Sequence, residues 1–313
     1  MQCKTIKELN EYIQTGKIRE LIRVNETQHQ MQLCKIAESI LERNAKAVLL
    51  SGPSSSGKTT TANRLATQLR AHKKIPVLVS MDNYYIDRDK ILPDADGKID
   101  FEHINTIDTE LFKNHLQALL SGEAVLLPSF DFLAGKRVWQ EEVLQLSDEC
   151  IIIIEGLHAL NPVLLPQTLD NDKIFKLYVC PQTTLYMQDN EQIPASFSRL
   201  LRRIVRDMKS RGASVCQTLS MWESVRRGEK LWIYPYKNLA DASFDSATVY
   251  ELAFIKKHIY PLLTDIAPQD PCYKQVCAIQ LILDRINDAD AEDEIPPTSI
   301  IREFIGGNTF YRK

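Results

Sequence analysis

What this chain lacks narrows the reading first. Its longest aliphatic run, Ile151 to Ile154, falls far short of the ~20 apolar residues a membrane helix needs. The opening MQCKTIKELNEYIQ has no apolar centre, so no secretory leader is expected. An excess of one charge is also missing. With a formal net charge of -3, bulk electrostatics draw the chain neither to nucleic acid nor to an anionic membrane. Any anion it binds must be held by local clusters. The seven cysteines, at 3, 34, 150, 180, 216, 272 and 277, include no Cys-x-x-Cys pair, which excludes the usual spacing of zinc ligands. They are expected to be unbridged apolar fillers in a reducing cytoplasm, Cys272 and Cys277 included. There is no internal repeat.

What remains is the composition of a soluble globular protein, with 44% hydrophobic and 25% charged residues. The 313 residues allow one large domain, or one domain with an appendage, at roughly 100–200 residues per domain. Apolar residues at helical spacing predict two helices before residue 46. Lys46–Ser51 and Pro76–Ser80 read as buried strands, and the stretch Thr59–His72 between them as a helix. Strand, turn, helix, strand opens a parallel α/β domain. Residues 87–106 read as a loop and Leu111–Leu120 as a helix. Cys150–Glu155 and Phe175–Cys180 read as strands covered on both faces. Leu185–Arg211 is expected to be mostly helical with a break near Pro194, and Tyr250–Leu263 and Pro271–Asp284 to be late helices. The acidic stretch Asp288–Glu294 reads as a solvated linker.

Gly52-Pro53-Ser54-Ser55-Ser56-Gly57-Lys58-Thr59 satisfies G-x-x-x-x-G-K-[ST], with a strand before it and a helix after it. The chemistry needs these residues. Glycines let backbone N–H groups close around phosphate oxygens, and the following helix, through Thr60, offers the positive end of its dipole. Lys58 is expected on the β- and γ-phosphates and the Thr59 hydroxyl on magnesium. The fold class is therefore α/β, a P-loop NTPase with a doubly wound, mostly parallel sheet. ATPases, GTPases and small-molecule kinases share this loop, so the rest of the chain must choose among them. A GTPase switch wants an Asn-Lys-x-Asp base reader; Asn238-Leu-Ala-Asp241 is only a distant echo.

Three further features point to transfer onto a hydroxyl. Asp82 follows the second strand, where strand ends face the ligand crevice. It can orient an acceptor hydroxyl and take its proton, or simply start a turn. Glu155 closes an apolar strand, the position from which an acid holds magnesium with Thr59, or merely marks the strand's end. Arg199, Arg202, Arg203 and Arg206 share one helical face, with Arg211 before Gly212 at the helix end. Such a stripe needs an anion or acid opposite: triphosphate oxygens are the expected partner, and a solvated face or pairing with acids elsewhere in the protein is the alternative. Arg226, Arg227 and Glu229 read as part of a Gly-containing loop, either a second phosphate contact or an exposed polar turn. His103 and His158 are expected to be structural.

In this order these elements resemble the uridine kinase and phosphoribulokinase family, from about Lys46 to about Leu263. The resemblance rests on Gly52–Thr59, Ser80–Tyr85, Phe101-Glu102-His103, Glu155-Gly156-Leu157, and Arg202–Arg206 with Asp207 and Arg211-Gly212. It implies that Asp82 is the catalytic base, acting with magnesium, and that Glu102 binds the acceptor's hydroxyls beside Tyr84, Phe130 and Arg211. It also implies that Arg203, Arg206 and Arg211 form a lid over ATP. The chain looks closest to a longer bacterial branch of nucleoside kinase-like proteins. The features shared with that branch are Val24-Asn25-Glu26, Asp94-x-Asp-Gly97, Glu155–Pro162, Ser224–Glu229 and Arg302–Gly307. One segment departs from the family. Pro128-Ser-Phe130-Asp131-Phe132 has Phe130 where a pyrimidine-reading tyrosine is expected, and Gly135 stands near the place of a histidine. Phenylalanine can stack on a ring but cannot hydrogen-bond it.

The expected organisation is an N-terminal helical extension (1–46), a kinase domain (47–263) with a lid near 185–230, and a C-terminal extension (264–313). The expected activity is ATP- and magnesium-dependent phosphorylation of a uridine-like nucleoside in the cytoplasm. The alternatives are a non-nucleoside sugar or alcohol acceptor, or a nucleotide-binding regulatory protein. No nucleic-acid or membrane partner is expected, and a homo-oligomer stays open.

Overall fold

The computed structural model describes residues 3–91, 100, 102–166, 171–187 and 191–310. The readings placed on Asp94, Gly97 and Phe101 lie outside these residues. Five strands, β1 (Ala47–Ser51), β2 (Ile75–Ser80), β5 (Cys150–Glu155), β6 (Ile174–Cys180) and β7 (Ala242–Asp245), form one sheet in the order β2-β5-β1-β6-β7. Every pairing in it is parallel. β3 (Val125–Asp131) and β4 (Lys136–Leu144) pair with each other as a separate antiparallel ribbon.

The side-chain alternation of strands divides the core in two. Val48, Leu50, Ile151, Ile153 and Leu177 face α2 (Ile18–Glu42) and α3 (Lys58–Ala71), through Leu33, Ile36, Ala62 and Leu65. Leu49, Ile152, Ile154 and Tyr178 face α4 (Thr109–Leu120), through Phe112 and Leu116. All residues of β1 and β5 are buried, as near-continuous apolar strands require. A third cluster joins the chain's outer parts. α1 (Ile6–Gln14) packs there with α5 (Ala195–Ser210), α6 (Val215–Trp232), α7 (Glu251–Thr264), α8 (Tyr273–Leu283) and the short α9 (Arg302–Ile305), through Leu9, Ile22, Ile204, Leu219, Phe254, Leu283 and Ile301.

Several expectations are corrected. Among the described residues the segment before α5 is not helical: Pro194 is the N-cap residue, and Tyr186 makes isolated bridges with Thr5 and Gln192. Proline's fixed φ and missing N–H place the start of the helix there. Ser224–Glu229 lies inside α6 rather than in a loop. Gly228 serves close packing, because a Cβ there would lie 2.4 Å from the Glu102 Cβ. The stretch Asp288–Glu294 is no solvated linker. Asp293 pairs with Arg19 at 2.8 Å, Glu294 with Arg23 at 2.7 Å, and Glu292 with Arg302 at 3.3 Å. Not all cysteines are unbridged. Cys216 of α6 and Cys272 form a disulfide, whereas Cys277 is free and exposed. Among the described residues no helix is long and apolar enough to cross a membrane.

Candidate active site

β1 ends at Ser51, and the chain turns through Gly52–Gly57 into α3. Sterics dictate both glycines. A Cβ on Gly52 would lie 2.0 Å from the Val179 carbonyl oxygen, and Gly57 adopts φ +84. Ser55 also has positive φ, at 58°, which turns successive N–H groups to one side and forms an anion cradle. Lys58 Nζ donates to the Pro53 carbonyl at 3.2 Å, so the lysine curls over its own loop. Burial holds its ammonium below the usual lysine range, against the opposing pull of Glu155, Asp82, Glu303 and Glu102.

Sheet register brings the acids to the same loop. Glu155 pairs with Leu50 on one side and Ser80 on the other, so β1, β2 and β5 end together. Ser80 Oγ donates to Glu155 Oε1 at 2.9 Å and accepts from the Asp82 amide at 3.3 Å. One hydroxyl thus fixes both carboxylate-bearing segments. Thr59 Oγ1 lies 3.4 Å from Glu155 Oε1. Burial first, then the Asp82 charge, pushes the Glu155 carboxyl up to about 7, with Lys58 opposing. A hydroxyl and a carboxylate converging beside a phosphate loop are the hard oxygen donors that suit magnesium, which keeps several waters.

The lid helix α5 splits the arginine stripe in two, which corrects the expectation that all four face phosphate. Arg199 points inward to Glu229 and Arg202 to Glu251, and all four side chains are buried. Arg203, Arg206 and Arg211 do reach the cavity. Arg203 donates to Ser54 Oγ at 2.8 Å. Asp207 gathers Arg203, Arg206 and Arg211 at 3.3, 2.8 and 3.8 Å.

Lys58, Thr59, Asp82, Glu102, Glu155, Phe130, Arg203, Arg206 and Arg211 all line one cavity of about 1090 Å³. Tyr84 does not. It is buried against Phe112 and hydrogen-bonds His115, because the 3₁₀ turn Met81–Tyr84 rotates it into the core. Its neighbour Tyr85 lines the cavity instead, edge-on to Phe130 and Phe132. Sequence reasoning also missed Asp207 as an organiser of the lid, although its place beside Arg206 was a signal. Glu303 lies in the Arg302–Gly307 segment, but nothing local in the sequence placed it in the site. His103 caps a turn and packs on Trp232; His158 is buried, and burial lowers its imidazole to about 4.

Glu102 is 8% exposed, its nearest cation is Arg203 at 3.9 Å, and burial raises its carboxyl to about 7. A carboxyl raised on folding holds its proton more tightly in the native state, so stability is lost as pH climbs from the unfolded value towards 7. Glu102→Gln is expected to remove that loss. Denaturant titrations of both proteins near pH 5 and pH 8 should show the wild type losing about 2–3 kcal/mol more across the interval. Parallel pH profiles would refute the assignment.

Residues 48–253 match the profile of the phosphoribulokinase / uridine kinase family. The chain belongs to that family. A uridine kinase of Brevibacillus brevis (strain 47 / JCM 6285 / NBRC 100599) is 29% identical over 199 residues, spanning 63% of this chain and 83% of that protein. A uridine kinase of Staphylococcus aureus (strain JH9) is 30% identical over 193 residues, 61% of this chain and 83% of that protein. Among solved structures, one described as a possible uridine kinase from Bacillus stearothermophilus aligns with a TM-score of 0.46 at 21% identity, over 68% of this chain and 97% of that one. The protein is accordingly a P-loop kinase with an α/β fold, a phosphotransferase of the uridine kinase family. The family segment excludes α1, α2, α8 and α9, and most of α7.

Proposed function

We propose that the protein transfers the γ-phosphoryl group of ATP to a hydroxyl of a nucleoside with a uridine-like ribose. The observation that carries this reading is the convergence of Lys58, Asp82, Arg203 and Arg206 on a single cavity bounded by the phosphate loop and the lid. The phosphate loop and Lys58 hold the donor. Thr59 and Glu155, with Asp82 nearby, would hold magnesium, which when bound neutralises charge on the β- and γ-phosphates. Asp82, fixed through Ser80, accepts the proton of the attacking hydroxyl. Glu102 stands across the cavity to hold neighbouring hydroxyls. Arg203 and Arg206 draw charge from the transferring group, and Asp207 keeps them aligned while phosphate is absent. The reaction is assigned to the cytoplasm.

A second acceptor class has its own support. The wall that would meet a base is made of Phe130, Phe132 and Tyr85, and Gly135, with φ +68, leaves room for the Arg88 stem, which a Cβ would meet at 2.7 Å. A sugar or alcohol without a base would also fit such a wall.

ADP release with magnesium and ATP, measured against nucleosides, then free sugars and simple alcohols, tests both. Stimulation by a nucleoside alone supports the first reading. Stimulation only by a base-free acceptor sinks it in favour of the second, and ATP turnover indifferent to every acceptor sinks both.

A further inference from the structure

The start of α3 is already occupied. Thr60 donates its backbone N–H to Glu303 Oε2 at 3.2 Å and its hydroxyl to the same oxygen at 2.6 Å. Glu303 belongs to α9, which lies 243 residues further along the chain and outside the segment that matches the family. The surrounding contacts make this a seated segment rather than one wandering side chain. The Ile300 methyl sits where a Cβ on Gly57 would be, 2.6 Å away. Phe304 covers the Arg202 guanidinium at 5.4 Å. Asn308 Nδ2 reaches Thr60 Oγ1 at 3.5 Å. Lys209, on the lid helix, holds the carbonyl oxygens of Ile305 and Phe304 at 2.7 and 3.4 Å.

The first-turn N–H groups of a helix have no partner within it, and in a phosphate loop they serve the phosphates. Lys58, two residues earlier, serves the β/γ end. The N–H and hydroxyl of Thr60 therefore face the phosphate nearest the nucleoside. Glu303 lines the same cavity as Lys58 and Glu155. It offers a carboxylate oxygen where a phosphate oxygen would sit, and two anions cannot share one N–H and one hydroxyl.

Resting on the reading of this site as a nucleotide-dependent kinase, we infer that residues 300–308 form a latch on the donor end of the site, in which Glu303 occupies the seat of the phosphate nearest the nucleoside and withdraws when the donor binds. The exchange is balanced for α3, because the incoming phosphate accepts the same two hydrogen bonds that Glu303 gives up. It is not balanced for the segment, which loses both Glu303 hydrogen bonds to the phosphate-loop helix and keeps the contact of Asn308 and the apolar contacts of Ile300 and Phe304. Since Lys209 holds the same segment from α5, withdrawal also frees one restraint on the lid. Donor entry and lid movement are thereby coupled. A purely structural cap on α3 would have the same contacts but no such coupling.

Calorimetric titration of a non-hydrolysable ATP analogue with magnesium into the full chain, its Glu303→Gln form and its Glu303→Ala form separates the two. The latch requires the analogue to bind both variants roughly tenfold more tightly than the wild type, the size expected when one charge-assisted competitor is removed. In the wild type, the analogue should also raise deuterium uptake in residues 295–310. Unchanged or weaker affinity in both variants overturns the latch, as does greater protection of residues 295–310 on binding. The hydrogen-exchange arm needs no mutation, so a variant that folds poorly does not decide the matter. Absence of analogue binding in all three folded proteins would overturn the kinase reading itself, whereas equal binding in all three overturns the latch alone.

Discussion

Replacing Asp82 with asparagine is expected to lower kcat by roughly 100- to 10,000-fold, the contribution of a positioned general base. Donor affinity should stay within about threefold, because no donor contact is assigned to this side chain as a base. The geometry sets both expectations. Asp82 sits at the carboxyl end of β2, tied through Ser80 to the strand end that carries Glu155. Asparagine keeps the shape of the side chain and the amide contact to Ser80, but cannot take a proton. Steady-state kinetics on the acceptor found by the ADP-release panel, with calorimetry of the ATP analogue, measures the two quantities separately. A loss of less than tenfold in kcat would show that another group takes the proton. An equal loss in donor affinity would move Asp82 from the acceptor to the magnesium.

The second large effect concerns stability. Glu229→Ala is expected to cost about 3–5 kcal/mol, because it leaves the Arg199 guanidinium buried without its carboxylate. Arg199 and Glu229 side chains are 2% and 0% exposed, and their oxygens and nitrogens meet two by two. Arg226 and Tyr234 complete the shell of Glu229 at 2.7 and 3.0 Å. At roughly 2–4 °C per kcal/mol for a domain of this order, thermal melting should fall by about 6–20 °C. Arg206→Ala is the contrast. Its guanidinium is only partly buried, its partner Asp207 keeps Arg203, and stability should change by less than about 1 kcal/mol while kcat drops. Should Glu229→Ala melt like the wild type, Arg199 would not be a structural arginine and the split of the lid helix would be wrong.

That split marks where the sequence stopped being informative. Helical spacing placed four arginines on one face, and they do lie on one face. Which of them meets a carboxylate depends on α6 and α7, folded against that face from elsewhere in the chain, and periodicity carries no record of them. The phosphate loop was legible because its geometry is local: strand, two glycines and helix lie within two dozen residues. Asp82 and Glu155 were legible because parallel strands end together at the ligand crevice. Tyr84 was misplaced by one residue, since a single 3₁₀ turn after β2 exchanges the inward and outward positions of Tyr84 and Tyr85. The ribbon of β3 and β4 went unseen because β4 is largely exposed and the apolar start of β3 is cut short by Pro128. β7, only four residues long, gave too little pattern to read. The Cys216–Cys272 bridge joins residues 56 apart, a proximity that only the packing of α6 near the start of α8 creates.

The ribbon of β3 and β4 has a wider meaning for how such an enzyme changes. It pairs with no strand of the main sheet, yet it brings Phe130 and Phe132 to the acceptor end of the cavity. The donor end is built into the sheet, where Gly52 cannot accept a methyl group without striking β6. One end of the cavity is therefore set by the main sheet, and the other by a separate ribbon tied on through Arg137 to Asp108 and the carbonyls of Tyr84 and Tyr85. On the proposed reading, substitutions between Val125 and Leu144 would change the choice of acceptor and leave the phosphate loop as it is.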